Sequence, residues 1–389
     1  MPRKRDRELN ITPLDLFPIR DIGLRVPFSY LPEQFADPEP IFARLREVIA
    51  AGDFTLGKAV GEFETRFAQI IGVRHAFGVN SGTDALRLAL KAVGVGPGDE
   101  VITAANTFIA TVGAIADSGA ITKFVDCRDD FCMDVSRLEA AITPRTKAII
   151  PVHMTGAMVD MPCLLDITER RSLPVIEDAC QAVKSSLDER PAGSWGLIGT
   201  FSLHPLKFIN IWGDGGVMTT NDVDVAKRIG LLRNHGLESR DVVVSMGVNS
   251  RLDTIQAVVA LHMFDQADWI ARERRKNAAF YDHALANVRQ VKIPPRDARV
   301  LHSYVTYQVF VEQRDALQEH CVARGIECKI HYPIPLYCQK GLSYLSYKRG
   351  DFPVTDRHAD TTITLPVHQY LSCDQLSFVV DTIAEFYRA

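Results

Sequence analysis

Between residues 75 and 220 the chain alternates short apolar runs with amphipathic helical periods, and few folds accommodate that pattern. Runs at 75–79, 100–104, 123–125, 147–152 and 175–178 read as strands, with helices at 84–93, 109–117, 135–142 and 162–171 between them. Strands that are apolar almost throughout belong to a mostly parallel sheet buried on both faces by helices. In such sheets ligands collect at the carboxyl ends of the strands, so the residues just after each run are the ones to inspect.

Outside that segment the pattern changes. Helical periods at 40–51 and 63–71 are stopped by Gly52 and Gly72, and beyond Asp224 the chain is helical at 225–233, 254–265 and across a charged stretch at 267–288. The last hundred or so residues mix strands (304–311, 327–331) with helices (317–324, 374–387), as expected of a smaller α+β domain. The expected organisation is an N-terminal extension over 1–27, a large ligand-binding domain over 28–265 and a small domain over 266–389. A chain of 389 residues, 47% hydrophobic, has apolar material enough for two cores.

A formal net charge of -4 gives no reason to expect nucleic acid, and the basic start Arg3-Lys4-Arg5-Asp6-Arg7 reads as a solvated tail. No apolar run approaches the ~20 residues that span a bilayer, and no signal-peptide core follows the basic start, so a cytoplasmic protein without membrane association is expected. Eight cysteines without a C-x-x-C pair suggest thiols that are mostly buried, with neither a metal site nor a disulfide framework.

Four strand ends carry chemistry. Asn80-Ser81-Gly82-Thr83-Asp84 opens a helix with hydroxyls, free N–H groups and a glycine, which suits a phosphate monoester and equally an ordinary helix cap. Phe108 follows the second strand, where a flat ring could stack on it or where it could serve as core. Glu177-Asp178 ends an apolar run, and a buried carboxylate there needs a partner such as a pyridinium N–H or a helix N-terminus. Lys207 lies between that carboxylate strand and the turn Gly213-Asp214-Gly215-Gly216, where a desolvating or cationic setting would let it react as a neutral amine. Amine, carboxylate and phosphate loop are the three electrostatic contacts that pyridoxal 5'-phosphate requires.

From Phe54 onward these segments resemble the DegT/DnrJ/StrS family, sugar aminotransferases of fold type I among pyridoxal phosphate enzymes. The resemblance rests on F-T-L-G (54–57), N-S-G-T-D-A-L (80–86), N-T-F-I-A-T (106–111), P-V-H-M-T-G (151–156), E-D-A-C-Q-A (177–182) and F-S-L-H-P-L-K (201–207). It continues through G-D-G-G (213–216), R-N-H-G (233–236), N-S-R-L-D (249–253), H-Y-P-I-P-L (331–336) and L-P-V-H (365–368). It implies that Lys207 is the Schiff-base anchor that afterwards moves protons, that Asp178 holds the pyridine nitrogen, and that Gln181 lies near the cofactor's O3' side. Phe108 would stack on the ring, and Gly82, Thr83 and Ser202 would hold the phosphate. A homodimer with shared active sites is implied, in which Asn249 reaches the neighbouring subunit's phosphate.

The implied reaction moves an amino group from an amino acid, L-glutamate by analogy, to a keto sugar that is nucleotide-linked or a sugar phosphate, through pyridoxamine 5'-phosphate. His153, Arg251, His331 and Tyr332 are candidates for contact with substrate. Cys180, Phe208 and the run His204-Pro205-Leu206 depart from the family's usual residues, which bears on which sugar is used. A dehydratase branch replaces the lysine with histidine, whereas this chain keeps Lys207. A regulatory protein that retains the fold without turnover, and a lyase acting on amino acids, are the other readings.

Overall fold

The computed structural model describes residues 23–388. Helices α1 (Leu31–Gln34), α2 (Glu39–Ala51) and α3 (Lys58–Ile71) lead into the alternating segment. Gly52 and Gly72 end α2 and α3 at φ 65° and 73°, a left-handed turn that costs glycine least. Next come β1 (His75–Val79), α4 (Gly82–Ala92), β2 (Glu100–Ala104), α5 (Ile109–Asp117), β3 (Ile121–Val125), α6 (Leu138–Ala141), β4 (Thr146–Ile150), α7 (Met161–Arg170) and β5 (Ile176–Asp178). A short ribbon, β6 (Ser186–Leu187) and β7 (Arg190–Pro191), precedes β8 (Ile198–Ser202) and β9 (Gly216–Thr220).

Bridges Ile149–Val175 and Val152–Asp178 join β4 to β5, so the strands form one sheet in the order β3-β2-β4-β5-β8-β9-β1. Every strand is parallel to the others except β9, which is antiparallel to both of its neighbours. The parallel strands therefore end at one edge, and β9 begins there. One face of the sheet (Val79, Val101, Ile150, Ile176, Ile198, Met218) packs on α4, α5 and α8 (Val223–Leu232). The other face, including Ile102, Ile149 and Val217, packs on α3 and on α9 (Thr254–Leu285), completing the expected α/β arrangement with helices on both sides. Between α8 and α9 runs a hairpin, β10 (Leu237–Ser239) and β11 (Val242–Val243).

Helix α9 corrects the sequence reading of its segment. The stretches 254–265 and 267–288 are one uninterrupted helix of 32 residues, and the expected domain boundary at 265/266 falls inside it. Nothing between Asp265 and Ala267 breaks helical geometry. Instead the helix changes core: Ala267, Ile270 and Ala271 pack with the large domain, whereas Ala278, Tyr281 and Leu285 pack with the small one.

The small domain is a three-stranded antiparallel sheet, β12 (Val291–Lys292), β14 (Tyr307–Val311) and β15 (Thr362–Leu365), covered by α10 (Arg314–Ala323) and α12 (Cys373–Arg388). β13 (Val300–Leu301) instead pairs with β6 of the large domain, and α11 (Pro353–Thr361) precedes β15. The expected strand at 327–331 is absent; only Lys329 bridges to Thr364. The extension expected at 1–27 lies outside the described residues up to position 22, and its remainder belongs to the small domain. Val26 is fully buried in that core, Arg25 and Val26 both donate to the Gly325 carbonyl, and Glu327 N donates to Val26 O at 3.0 Å. Among the described residues no helix is long and apolar enough to cross a membrane.

Two histidines seal the seams between these parts. His358 lies between Phe131 of the large domain and Phe310 of the small one, ring centroids 4.8 and 5.2 Å away. His368 stacks on Tyr30 at 5.3 Å and donates from Nε2 to the Pro27 carbonyl. Burial pushes both imidazoles down to about 4 from the ordinary 6.5. Between those values the unfolded chain binds protons that the folded chain excludes, so stability rises with pH across this window and levels off above it. The midpoint of thermal unfolding should therefore be flat above pH 7 and fall steadily from pH 6.5 to 4, each histidine contributing up to ~3 kcal/mol. A pH series followed by circular dichroism checks this, and a midpoint unchanged down to pH 4.5 would refute it.

Candidate active site

A cavity of about 350 Å³ opens where the strand ends meet the small domain. Its large-domain side is made by residues that follow β1 (Ser81, Gly82, Thr83), β2 (Thr107, Phe108), β5 (Cys180, Gln181) and β8 (His204, Lys207), with Asp178 and Ser202 at the strand tips themselves. Thr306, Gln308, His331 and Tyr332 form the small-domain side, and Phe28 of the N-terminal segment closes one end.

The first turn of α4 is built as an anion cradle. Ser81 caps the helix, its Oγ accepting from Asp84 N at 3.1 Å, and Ala85 N makes the first intrahelical bond to Ser81 O. The N–H groups of Gly82 and Thr83 have no acceptor among the described residues, as expected of a first turn. At Gly82 a Cβ would lie 2.8 Å from Ser202 Cβ and 3.0 Å from Cys180 Sγ. Only a glycine lets the helix start press this closely on β8 and on the loop after β5.

The two adjacent acids of β5 point opposite ways, as successive residues of a strand must. Asp178 faces the cavity: its Oδ2 accepts from Thr111 Oγ1 at 2.8 Å and its Oδ1 from Cys180 N at 3.2 Å, and Thr107 lies 2.8 Å from Thr111. Thr107 and Thr111 were not among the expected site residues; hydroxyls four apart straddling a helix start were the signal. Glu177 faces away and is fully buried. Its carboxylate accepts from Trp195 N and Gly196 N at 2.7 Å, Gly193 N at 2.8 Å and His153 Nε2 at 2.9 Å. With Val159 N donating to its Nδ1, the His153 ring is fully buried behind β5. The expectation that His153 contacts substrate does not fit this placement, because one ring nitrogen is spent on the Glu177 carboxylate and the other on Val159 N.

Lys207 sits in the turn after β8, its N–H donating to His204 O at 2.8 Å and its carbonyl accepting from Tyr30 Oη at 3.4 Å. The side chain lines the same cavity as Asp178, Gln181 and Ser202. Gln181 is oriented by Thr155 N, which donates to its Oε1 at 2.8 Å. Burial, aided by the Lys329 and Lys207 charges, pushes His331 down to about 4, and burial with the Asp178 charge raises the Tyr332 phenol. Both groups are thus neutral at physiological pH. Phe108, half-exposed, has its ring 6.0 Å from that of Tyr332.

Two expected residues lie elsewhere. Asn249 bridges to Asn234 and accepts from Asn80 Nδ2 at 3.2 Å through its carbonyl, while Arg251 donates to Asn234 Oδ1 at 3.0 Å. Neither lines the cavity of its own chain. Phe28 does, and no pattern in the sequence marked it.

The chain is similar to known proteins over nearly its whole length. A protein from Geobacillus stearothermophilus called a pleiotropic regulatory protein is 39% identical over 370 residues, covering 94% of this chain and 99% of the relative. The dTDP-3-amino-3,4,6-trideoxy-alpha-D-glucose transaminase of Micromonospora megalomicea subsp. nigra is 37% identical, covering 92% and 97%. Among solved structures, S. venezuelae DesV in complex with a ketimine intermediate superposes with a TM-score of 0.91 at 34% identity, covering 94% of this chain and 99% of that one. The model of one family matches residues 36–384. The chain belongs to the DegT/DnrJ/EryC1/StrS aminotransferase family.

Proposed function

We propose that this chain is a pyridoxal-phosphate-dependent aminotransferase that moves an amino group from an amino acid, L-glutamate by family analogy, to a nucleotide-linked keto sugar. The observation that carries the reading is the convergence of Lys207, Asp178 and the open first turn of α4 on one cavity. These groups fit the cofactor. Free N–H groups at a helix N-terminus and the Ser202 hydroxyl suit a phosphate, and a carboxylate already held by a threonine suits a pyridinium N–H. Bound there, the cofactor would supply an electron sink for the carbon that carries the amino group. Lys207 Nζ would anchor it covalently and then carry a proton between donor and acceptor carbons, while Gln181 would face the O3' side and Phe108 the ring. The acceptor class is supported by relatives whose names specify dTDP- and UDP-linked amino sugars.

A homodimer belongs to the same reading. The segment around β11 exposes Val242, Val243, Val244 and Met246, the last 78% exposed, an apolar ribbon that a monomer would leave in water. In the homodimer that the resemblance implies, the nearby Asn249, which lies outside the cavity of its own chain, would serve the partner's phosphate. All eight cysteines are free thiols, in keeping with work in the cytoplasm. The regulatory reading finds favour in the name of the Geobacillus relative, but a sensor has no need of an amine and a carboxylate converging on one cavity.

Three outcomes are expected. Protein incubated with pyridoxal phosphate should show an absorbance band near the visible edge that shifts on adding glutamate; Lys207→Ala should lose both band and turnover, and a cofactor-loaded wild type without any band would sink the proposal. Gly82→Ala should weaken cofactor binding by ~10- to 100-fold, measured by fluorescence titration, because the new methyl has no space beside Ser202 and Cys180. Val243→Asp combined with Met246→Glu should sediment as a monomer with little activity, whereas an unchanged sedimentation coefficient would remove this ribbon from the interface.

A further inference from the structure

The small domain's side of the cavity is chemically unlike the large domain's. On β14, Tyr307, Val309 and Val311 belong to the small domain's core, so the alternate residues Gln308 and Phe310 face the large domain. β15 is in register beside them, with Gln308 opposite Thr364. The Thr364 hydroxyl lies 2.8 Å from His331 Nδ1, which leaves the other ring nitrogen of His331 for the cavity that this residue lines. Amide, hydroxyls and neutral imidazole thus form one uncharged polar wall.

Gln308 is the unsatisfied member of it. It is 3% exposed and lines the cavity, its Nε2 donates to Thr306 Oγ1 at 3.3 Å, and its buried Oε1 has no donor among the described residues. Turning the amide over would pair the oxygen with Thr306 and free an N–H at the same place, so a hydrogen bond remains to be made in either orientation. Buried polar groups in folded proteins nearly always have a partner, and this one adjoins the space where a ligand enters. A carboxylate would be met by cationic donors, as arginine meets it; a neutral wall that can both accept and donate matches sugar hydroxyls.

We infer that Gln308, flanked by Thr306 and His331, is a specificity-determining residue that hydrogen-bonds a hydroxyl of the acceptor sugar and takes no part in binding the amino donor. The inference rests on the aminotransferase reading above, and the two half-reactions separate them. Wild type and Gln308→Leu are loaded with cofactor and mixed first with glutamate, then, as the amine form, with a panel of dTDP- and UDP-linked 3-oxo hexoses, each half followed by absorbance. Gln308→Leu should keep the glutamate half-reaction within about twofold while its kcat/KM for the best keto sugar falls ~10- to 100-fold, mostly through KM. Equal losses in both halves, or no loss in either, would overturn the inference. If the leucine variant fails to take up cofactor, Gln308→Asn, which withdraws the amide but keeps its polarity, should show the same selective loss, and its absence there counts equally against the inference. Failure of wild type itself to respond to glutamate or to every sugar of the panel would instead remove the reading beneath.

Discussion

The Glu177 carboxylate, buried and accepting four hydrogen bonds, is the interaction on which the site depends. It ties the loop Gly193–Gly196 and the His153 ring to the back of β5. Leaving those donors unpaired would cost ~1–3 kcal/mol each. Since neighbouring residues on a strand point to opposite sides, pinning Glu177 behind the sheet fixes Asp178 in front of it. The acid that the chemistry uses is thus positioned by the acid that it does not use, and a one-residue slip of β5 would exchange them.

Much of the large domain is legible in the sequence, for reasons that can be named. The runs at 75–79 and 100–104 and the helical period at 109–117 have their expected bounds because glycine, proline or polar residues punctuate each end. Parallel topology follows from strands that are apolar on both faces, and the strand-end rule then leads to Ser81–Thr83, Phe108, Asp178 and Lys207. What the residues alone leave open is the choice between Glu177 and Asp178. Either could end a buried strand, and only the family resemblance separates them until the hydrogen bonds are known.

The illegible parts are those where tertiary contacts override local pattern. Charged residues at 272–276 make α9 look like two helices, yet Arg272 and Lys276 lie on its exposed side, Arg274 is itself buried against Tyr30 and Gln369, and the buried side runs on without a break. The segment 327–331 has strand-like composition but bridges to β15 at Lys329 alone, so it remains an extended connection that delivers His331 and Tyr332 to the cavity. Phe28 reaches the site because Val26 is buried beneath the other end of the chain, a contact about 300 residues away that no local window contains.

A helix that passes from one core into another without a joint behaves as a lever. At 1.5 Å per residue, the part of α9 from Ala271 to Leu285 is an arm of roughly 20 Å, so a tilt of about 5° at its root displaces the far end by roughly 2 Å. The small domain is carried on that far end. The gap between the amine-bearing wall of the cavity and its neutral polar wall therefore depends on an angle set at a distance as well as on the β6–β13 pairing and the His358 seam. Side chains around Ala271 that never touch a ligand help to decide how tightly the two walls can close on one.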